Sequence, residues 1–451
     1  MSAPGREQPL GWFDTTLVVI FLLGIYLGVP LQVTERIPLP CAPSGFAGLL
    51  LLWRRRDRID PAHLGGLLAV IALYIASILS ADNYAFLGKR FTGLVQLTYS
   101  LVISFVFFVT LITAERRQIA RILLVFCILI LIGVVLEQHT KLRDISDMVR
   151  ARIYDSSLVY DADVRDMALY GRIRAKLFTS EPSNVTFGYA HYGFAWLVVS
   201  TWRWKLAFYV GLVAAGLAVL RGPTLVLMLV LVIPYLLFIG GQNHQGSRAI
   251  RTIGVLLLSM ILATGAVIAA TSLYAERVQE FMSGRDSSTF SRIIGPMLVA
   301  FDMFKHHPWA GAGLTGEAFI EQEAMTIYMG SGTYESTWYF KISESLTNYF
   351  WLHWIYLGLV WGTVLFIALS MWLRVLGTPS VLFCWSVWVV LGQAAGAYVG
   401  PRTWTVLLVA AAGAILARRP ERSPVAATDR AIVRRYPTLP ELVAARRERF
   451  G

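Results

Sequence analysis

The chain has 451 residues with a formal net charge of +12, 56% hydrophobic side chains, 13% aromatics and only 15% charged residues. Apolar runs near twenty residues long recur along its whole length, which excludes a soluble globular protein and leads to a polytopic membrane protein. In such a chain an excess of arginine reports cytoplasmic loops and lipid headgroups, so no nucleic-acid partner is expected.

Fourteen tryptophans and nineteen tyrosines suit repeated crossings, because amphipathic rings collect at the two interfaces. Three cysteines cannot build a disulfide framework, and Cys127 and Cys384 sit in apolar runs where they act as small hydrophobes. After Arg6 the sequence FDTTLVVIFLLGIYLGV has no small-x-small cleavage site, which predicts an uncleaved first helix. Further apolar runs follow, giving the set 12–30, 38–53, 62–80, 93–113, 120–136, 185–201, 205–220, 222–239, 252–274, 348–371, 379–396 and 403–417. Their lengths predict about twelve crossings.

Basic clusters mark alternate ends of these runs: RRRDR from residue 54, ERRQIAR from 115, WRWK from 202, SRAIR from 247, then Arg374 and Arg418 onward. The short loops at the opposite ends carry fewer basic residues, so both termini are expected in the cytoplasm. Two long segments, 137–184 and 275–347, then fall on the outer face with Lys89, Arg90 and Arg221. Helix interiors hold almost no ionisable groups beyond Asp14, His191 and His353, which weighs against a proton pump or secondary transporter. The transmembrane domain is taken as 1–417, and the proline-broken basic segment 418–451 as a largely disordered cytoplasmic tail touching anionic lipid.

The first outer segment ends YGRIRAKLFTSEPSNVTFGYAH, with Arg172, Arg174 and Lys176 ahead of Glu181, Pro182, Ser183 and Asn184. Pro182 reads as a helix start, and cations beside a helix N-terminus suit a phosphate; an ordinary cap beside a surface charge cluster is the plainer alternative. In LAVLRGPTLVLMLV, Arg221 lies in a tight turn, either snorkelling to headgroups or aimed into a cleft by Gly222 and Pro223. In the second outer segment, Ile293, Ile294, Met297, Leu298, Phe301 and Phe304 have helical spacing, with Arg292 near the start. That amphipathic helix is expected to lie along the membrane surface. It ends at KHHPWAGAGLTG, where Pro308 stops it and glycines let the backbone turn. His306 and His307 have no companions at metal-ligand spacing, so no metal is expected. Aromatics of TIYMGSGTYESTWYF, including Tyr328, Tyr334 and Trp338, pack the loop in the plainer reading.

An arginine-headed amphipathic stretch, HPWAGAGLTG, and then TNYFWLHWIYLGLVWG returning to the membrane together resemble the O-antigen ligase and Wzy-type polysaccharide polymerase superfamily. GRIRAKLFTSEPSN after the fifth run and LRGPTL between paired runs fit the same order, so the resemblance covers roughly residues 80–372. It implies an all-α polytopic, GT-C-like membrane protein whose large periplasmic loop contains amphipathic helices. The implied activity is a glycosyltransferase of the bacterial inner membrane. It would act at the periplasmic face on undecaprenyl-diphosphate-linked glycans, with an acceptor glycan and membrane lipids as partners and no cofactor.

A chain-length regulator and a flippase of the same pathway are implied as further partners. Polymerisation of lipid-linked repeats is the leading expectation, ligation of finished glycan to lipid A core the second, and a lipid or glycan transporter the reading of another class. By resemblance Arg221, Arg292 and Glu181 are the catalytic candidates, and Arg172, Arg174, Lys89, Arg90, Asn348 and Tyr349 the substrate contacts. Where ligases of this superfamily place His-Asn, this chain has Thr347 and Asn348, which weakens the ligase reading. His353 lies about 140° round the helix from Asn348 and roughly 7.5 Å further along, so it cannot simply replace the missing imidazole.

Reporter fusions after Arg58, Arg117 and Arg419 are expected to be active in the cytoplasm, and fusions near Ser157 and Gly332 to report the periplasm. A cytoplasmic signal at Gly332 would reverse the active face.

Overall fold

The computed structural model describes residues 8–34, 37–80, 86–154, 163–240, 289–332 and 342–419, with isolated positions elsewhere. The chain divides into two units, Met1–Ala417 and Arg418–Gly451. Residues 420–451, and with them the expected disordered tail, lie outside the described residues, as do most of the run 252–274 and the aromatics Tyr334 and Trp338.

The first unit is mostly helical. Its elements begin with α1 (Trp12–Leu27), the antiparallel hairpin Leu31–Thr34 with Ile37–Leu39, and α2 (Ala42–Arg55). α3 (Pro61–Leu79), α4 (Leu87–Thr113) and α5 (Arg116–His139) follow, then the short α6 (Leu142–Ile153) and α7 (Asp163–Tyr170). α8 (Pro182–Val199), α9 (Lys205–Leu220) and α10 (Val226–Tyr235) lead to α11 (Gly295–His306) and α12 (Glu321–Gly330). The described residues close with α13 (Tyr349–Val375), α14 (Val381–Gly392) and α15 (Pro401–Arg418).

Apart from 252–274, each apolar run of the sequence is helical in the structure. Only α3, α4, α5 and α13, however, are long and apolar enough to cross a membrane, by length and composition, among the described residues. α8 and α15, at 18 residues each, are long enough but less apolar, and others stop short for local reasons. α1 ends at Gly28 in the left-handed conformation, and α10 meets Pro234 and unwinds into the π-helical turn Leu236–Gly240. Prolines set the starts of α3, α8 and α15, where a missing N–H costs nothing. α8 is buried along its whole length except at Asn184, as an element apolar all round must be.

Arginines hold the two ends of this helical body. At one end Arg54 and Arg55 both reach Asp14 at 2.6 Å, and Arg116 donates to the carbonyls of Val199 (2.6 Å), Ser200 (3.3 Å) and Ala417 (3.4 Å). At the other, Arg402 donates to the carbonyls of Ile25 and Tyr26 at 2.8 Å, closing the C-terminus of α1. Guanidinium groups at the last carbonyls of a helix satisfy orphan acceptors and complement its dipole.

The glycine-rich segment before α12 has a structural task. α13 is two half-helices joined at Gly358, whose φ of 64° and ψ of −172° are open in practice only to glycine. The break strands backbone groups in an apolar helix, and residues 308–313 satisfy them. The N–H groups of Ala312 and Gly313 donate to the carbonyls of Ile355 and Tyr356, both at 2.9 Å. In return Val360 and Trp361 donate to the carbonyls of Pro308 (2.9 Å) and Trp309 (3.2 Å). A Cβ on Gly311, where φ is +54°, would stand 2.3 Å from the Ile355 carbonyl oxygen. His353 ties the two halves from the other side: Nε2 faces the Gly362 carbonyl at 2.9 Å, and Nδ1 faces Tyr398 Oη at 2.8 Å, which in turn meets Tyr74 Oη. A carbonyl can only accept, so Nε2 carries the proton and Nδ1 accepts from Tyr398.

α11 packs on α13, and the stripe that the periodicity marks is split. Phe301 and Phe304 meet Trp351 and Trp354 of α13 with ring centroids 6.0 Å and 5.9 Å apart, and Gly295, Pro296, Val299, Ala300 and Met303 are buried, while Ile293, Ile294 and Leu298 are exposed.

Gly311→Ala and Gly358→Ala are each expected to cost about 1–3 kcal/mol or more, read as a loss of thermal stability in detergent. Gly65→Ala, where a Cβ meets no atom within 4 Å, should be neutral or stabilising by about 0.5–1 kcal/mol. Equal effects at the three positions would contradict the patched break.

Candidate functional site

The structure brings two of the expected arginines, Arg174 and Arg221, onto one tyrosine, with Arg172 at the adjoining end of α9. Asp166, at the heart of α7, is fully buried and pairs with Arg174 at 2.8 Å; it also accepts from the Arg174 backbone N–H (3.2 Å) and from Tyr160 Oη (2.8 Å). The Arg174 guanidinium stands 4.5 Å from the ring centroid of Tyr170. The Tyr170 carbonyl accepts from Arg221 Nη1 at 2.5 Å. Arg172, between them in sequence, donates to Gln138 Oε1 (2.9 Å) and to the carbonyls of Ala218 and Val219 at 2.7 Å, closing the C-terminus of α9. Arg221 is the residue that ends α9, with a φ of 49° unusual for any side chain but glycine. Among the described residues it donates this one hydrogen bond.

The segment behind the cluster is clamped by groups that sequence patterning alone does not single out. Glu137, at the end of α5, accepts from the backbone N–H groups of Lys176 (2.9 Å) and Leu177 (2.6 Å). Arg150 is buried and donates to the carbonyls of Thr179 (2.7 Å), Ser180 (2.9 Å) and Tyr160 (3.3 Å). Lys176 pairs with Asp163 at 3.2 Å. Of the expected cationic patch, Arg174 and Lys176 thus belong to an ion-pair network with carboxylates of α6 and α7, and Arg172 is held by Gln138 and helix carbonyls. Among the described residues Arg221 pairs with none of these carboxylates.

Glu181 is the N-cap residue of α8, and Oε1 accepts from Ser183 Oγ at 2.5 Å. Three residues after Glu181, Asn184 accepts from Arg402 and donates to Ser180 Oγ at 2.9 Å. Gly222 lies so close to the first turns of α8 that a Cβ there would be 2.3 Å from the Thr186 methyl group. The turn that carries Arg221 therefore rests against the helix that Glu181 begins.

Arg292 and Asn348 meet in a second cluster. Asn348 caps α13, its Oδ1 accepting from Phe350 (3.0 Å) and Trp351 (3.2 Å) while Nδ2 donates to the Arg292 carbonyl (2.7 Å) and Gln393 Oε1 (2.9 Å). Tyr349 is in the core instead of at a surface that a substrate can reach, its ring 5.0 Å from that of Trp388. Tyr328 is likewise core: it lies edge-on to Phe290 at 5.2 Å, and its hydroxyl donates to the Ser345 carbonyl at 3.3 Å.

Lys89 and Arg90 belong to a third group, on α4 and the glycine-rich segment. Arg90 is buried, stacked 5.9 Å from Phe319, with Gly313 so close that a Cβ would lie 2.5 Å from Nε. Lys89 is exposed beside a cleft of about 650 Å³ that Thr92, Gln96, Thr315 and Glu317 also line. Glu317 accepts from Tyr356 Oη next to the break in α13. Burial pushes its carboxyl above the usual carboxylate range, while Tyr356 and Lys89 pull it down. Nothing in the linear pattern distinguishes Glu317, because its setting exists only once residues 308–317 fold against α13. Among the described residues no three His, Cys, Asp or Glu side chains stand close enough to hold a metal ion.

The chain matches no protein-family profile and no curated protein.

A double-mutant cycle of Asp166→Asn with Arg174→Gln is expected to show coupling of about 3 kcal/mol in detergent unfolding, as for a buried pair broken on one side. Arg143 and Asp147, 3.7 Å apart and 31% and 41% exposed, should couple by less than about 1 kcal/mol. Coupling as weak at 166/174 would remove the network as a scaffold.

Proposed function

We propose that the protein is a polytopic inner-membrane glycosyltransferase of the O-antigen ligase and Wzy-type polymerase kind, with about twelve crossings and a GT-C-like body. It joins undecaprenyl-diphosphate-linked repeats into exopolysaccharide or O-antigen at the periplasmic face. The observation that carries this reading is the meeting of Arg172, Arg174 and Arg221 on Tyr170 and the C-terminus of α9, at the end of an apolar helical body.

The chemistry asks little more than cations. The acceptor hydroxyl oxygen forms a bond to the anomeric carbon as the bond from that carbon to the diphosphate oxygen breaks. The electron pair leaves with undecaprenyl diphosphate, and the hydroxyl proton passes to a carboxylate or to water. Charge grows on the diphosphate, and guanidinium groups already fixed in place stabilise it without reorganising. Arg221 and Arg292 are the donor contacts in this reading. Arg174 and Arg172, engaged with Asp166 and the α9 carbonyls, hold the cluster together and extend its field. Glu181 receives the proton at the α8 N-terminus. Thr347 and Asn348, in place of the His-Asn of ligases, favour polymerase over ligase.

Arg221→Ala and Arg292→Ala should leave the protein inserted and folded yet slow chain growth by on the order of a hundredfold or more. Lysine at either position should rescue poorly, for want of a planar fork. On gels of products from purified donor, the wild type should give a ladder of extended lipid-linked glycan and no transfer to lipid A core, and Glu181→Gln should lose much of the ladder. Normal polymer from both alanine variants would rule the mechanism out, and core transfer without a ladder would establish the ligase.

A further inference from the structure

A polymerase of lipid-linked repeats must hold two lipid-borne chains at once, one donating and one accepting. The arginine cluster of α7 to α9 provides for one. A different part of the molecule has the shape for the other. Between α3 and α4 runs a groove of about 570 Å³ lined by Ile75, Ile78, Leu79, Leu87, Phe91 and Leu94, with no polar side chain among the described residues. Leu79 is 66% and Phe91 59% exposed, so the groove opens sideways, where the hydrocarbon of a membrane would be. Beside it lies the cleft of Lys89, Thr92, Gln96, Thr315 and Glu317. Gly88 lines both, and its missing side chain leaves that shared wall low.

The polar half is built, not incidental. Gln96 Nε2 donates to the Pro38 carbonyl at 2.6 Å and fixes the hairpin as one wall. Thr315 Oγ1 donates to the Lys89 carbonyl at 2.8 Å and fixes the glycine-rich segment as another. Lys89 Nζ stands 5.6 Å from the Phe86 ring centroid, an exposed cation at the mouth, and Glu317 is the one carboxylate of the lining among the described residues. A cation beside a hydrogen-bonding acid and amide suits a hydroxyl-rich head that carries an anionic group, and the apolar groove suits a long hydrocarbon chain.

We propose that the α3/α4 groove and the Lys89–Glu317 cleft form one continuous site for a polyisoprenyl-linked anionic glycan, chain in the groove and sugar in the cleft. The site rests on the polymerase reading, in which it takes the acceptor. Glu317 hydrogen-bonds a sugar hydroxyl there, and Lys89 faces the phosphate. Gly88 is the threshold between the two halves.

The test uses the full-length protein in phospholipid nanodiscs with two photoreactive probes, a diazirine-bearing undecaprenyl diphosphate and a diazirine-bearing phosphatidylglycerol, mapped by peptide mass spectrometry. The polyprenyl probe should label residues 75–94, be displaced by unlabelled undecaprenyl diphosphate, and fall about tenfold with Gly88→Leu. A Cβ at residue 88 meets no atom within 4 Å, so that variant should keep the fold while its branched side chain stands where the two halves meet. Lys89→Gln should weaken labelling independently of it. Phosphatidylglycerol labelling should be indifferent to both variants. The proposal is overturned if phosphatidylglycerol labels 75–94 to the same extent, or if neither variant changes polyprenyl labelling. A polymer ladder without polyprenyl labelling at 75–94 sinks the groove and leaves the polymerase standing. Labelling there in a protein that makes no ladder supports the groove and removes the polymerase.

Discussion

A backbone amide without a partner is costly in an apolar medium, and the architecture around α13 is arranged to avoid it. Once Gly358 interrupts the helix, carbonyls at Ile355 and Tyr356 and N–H groups at Val360 and Trp361 need outside partners, and residues 308–313 are the strap that supplies them. Much else follows from where that strap must lie. α11 is drawn against α13, Phe301 on Trp351 and Phe304 on Trp354; Gly313 comes to rest on Arg90, and Thr315 on the start of α4. Glu317 is delivered to Tyr356 at the break itself. A chain of His353, Tyr398 and Tyr74 then braces the opposite side. The same constraint that closes the backbone also builds the walls of the polar cleft.

A second theme is how an apolar body keeps arginines. Arg174 has a buried carboxylate, Arg172 two helix carbonyls, Arg402 two more and Arg116 three. Fixed in this way, a guanidinium loses little further freedom when an anion arrives, and its field is already oriented. Arg221 differs in having a carbonyl as its one partner among the described residues, and in sitting on a backbone conformation that strains a side-chain-bearing residue.

Much of the fold could be read from the sequence, because hydrophobic length and proline position are local signals. The runs become helices, and Pro61, Pro182 and Pro401 open three of them. Long-range features were hidden for identifiable reasons. WIYLGLVWG reads as an unbroken apolar stretch, and only the arrival of residues 308–313 makes the break at Gly358 affordable. The stripe on α11 was visible, but which of its residues pack depends on whether the surroundings are water or lipid. Arg174 was visible as a cation, whereas its partner Asp166, eight residues earlier, looks like any loop acid until α7 folds. Tyr349 stands beside Asn348 in the sequence, yet the helical turn sends one into the core and leaves the other as the cap.

Asn348 has one further consequence. Its carboxamide is used completely: the oxygen accepts two N–H groups of its own helix, while the nitrogen gives one hydrogen to the Arg292 carbonyl and the other to Gln393. Aspartate has the same outline and would cap the helix equally well. It would also turn both donated bonds into oxygen facing oxygen. Hydrolytic loss of ammonia from this one side chain, a change of a single mass unit, would therefore remove the ties to Arg292 and Gln393 together and leave the Tyr349 N–H to Ala395 carbonyl bond, at 3.0 Å, to hold the end of α14. The position makes the protein's chemical ageing, and not only its inherited variation, a route to loosening these segments.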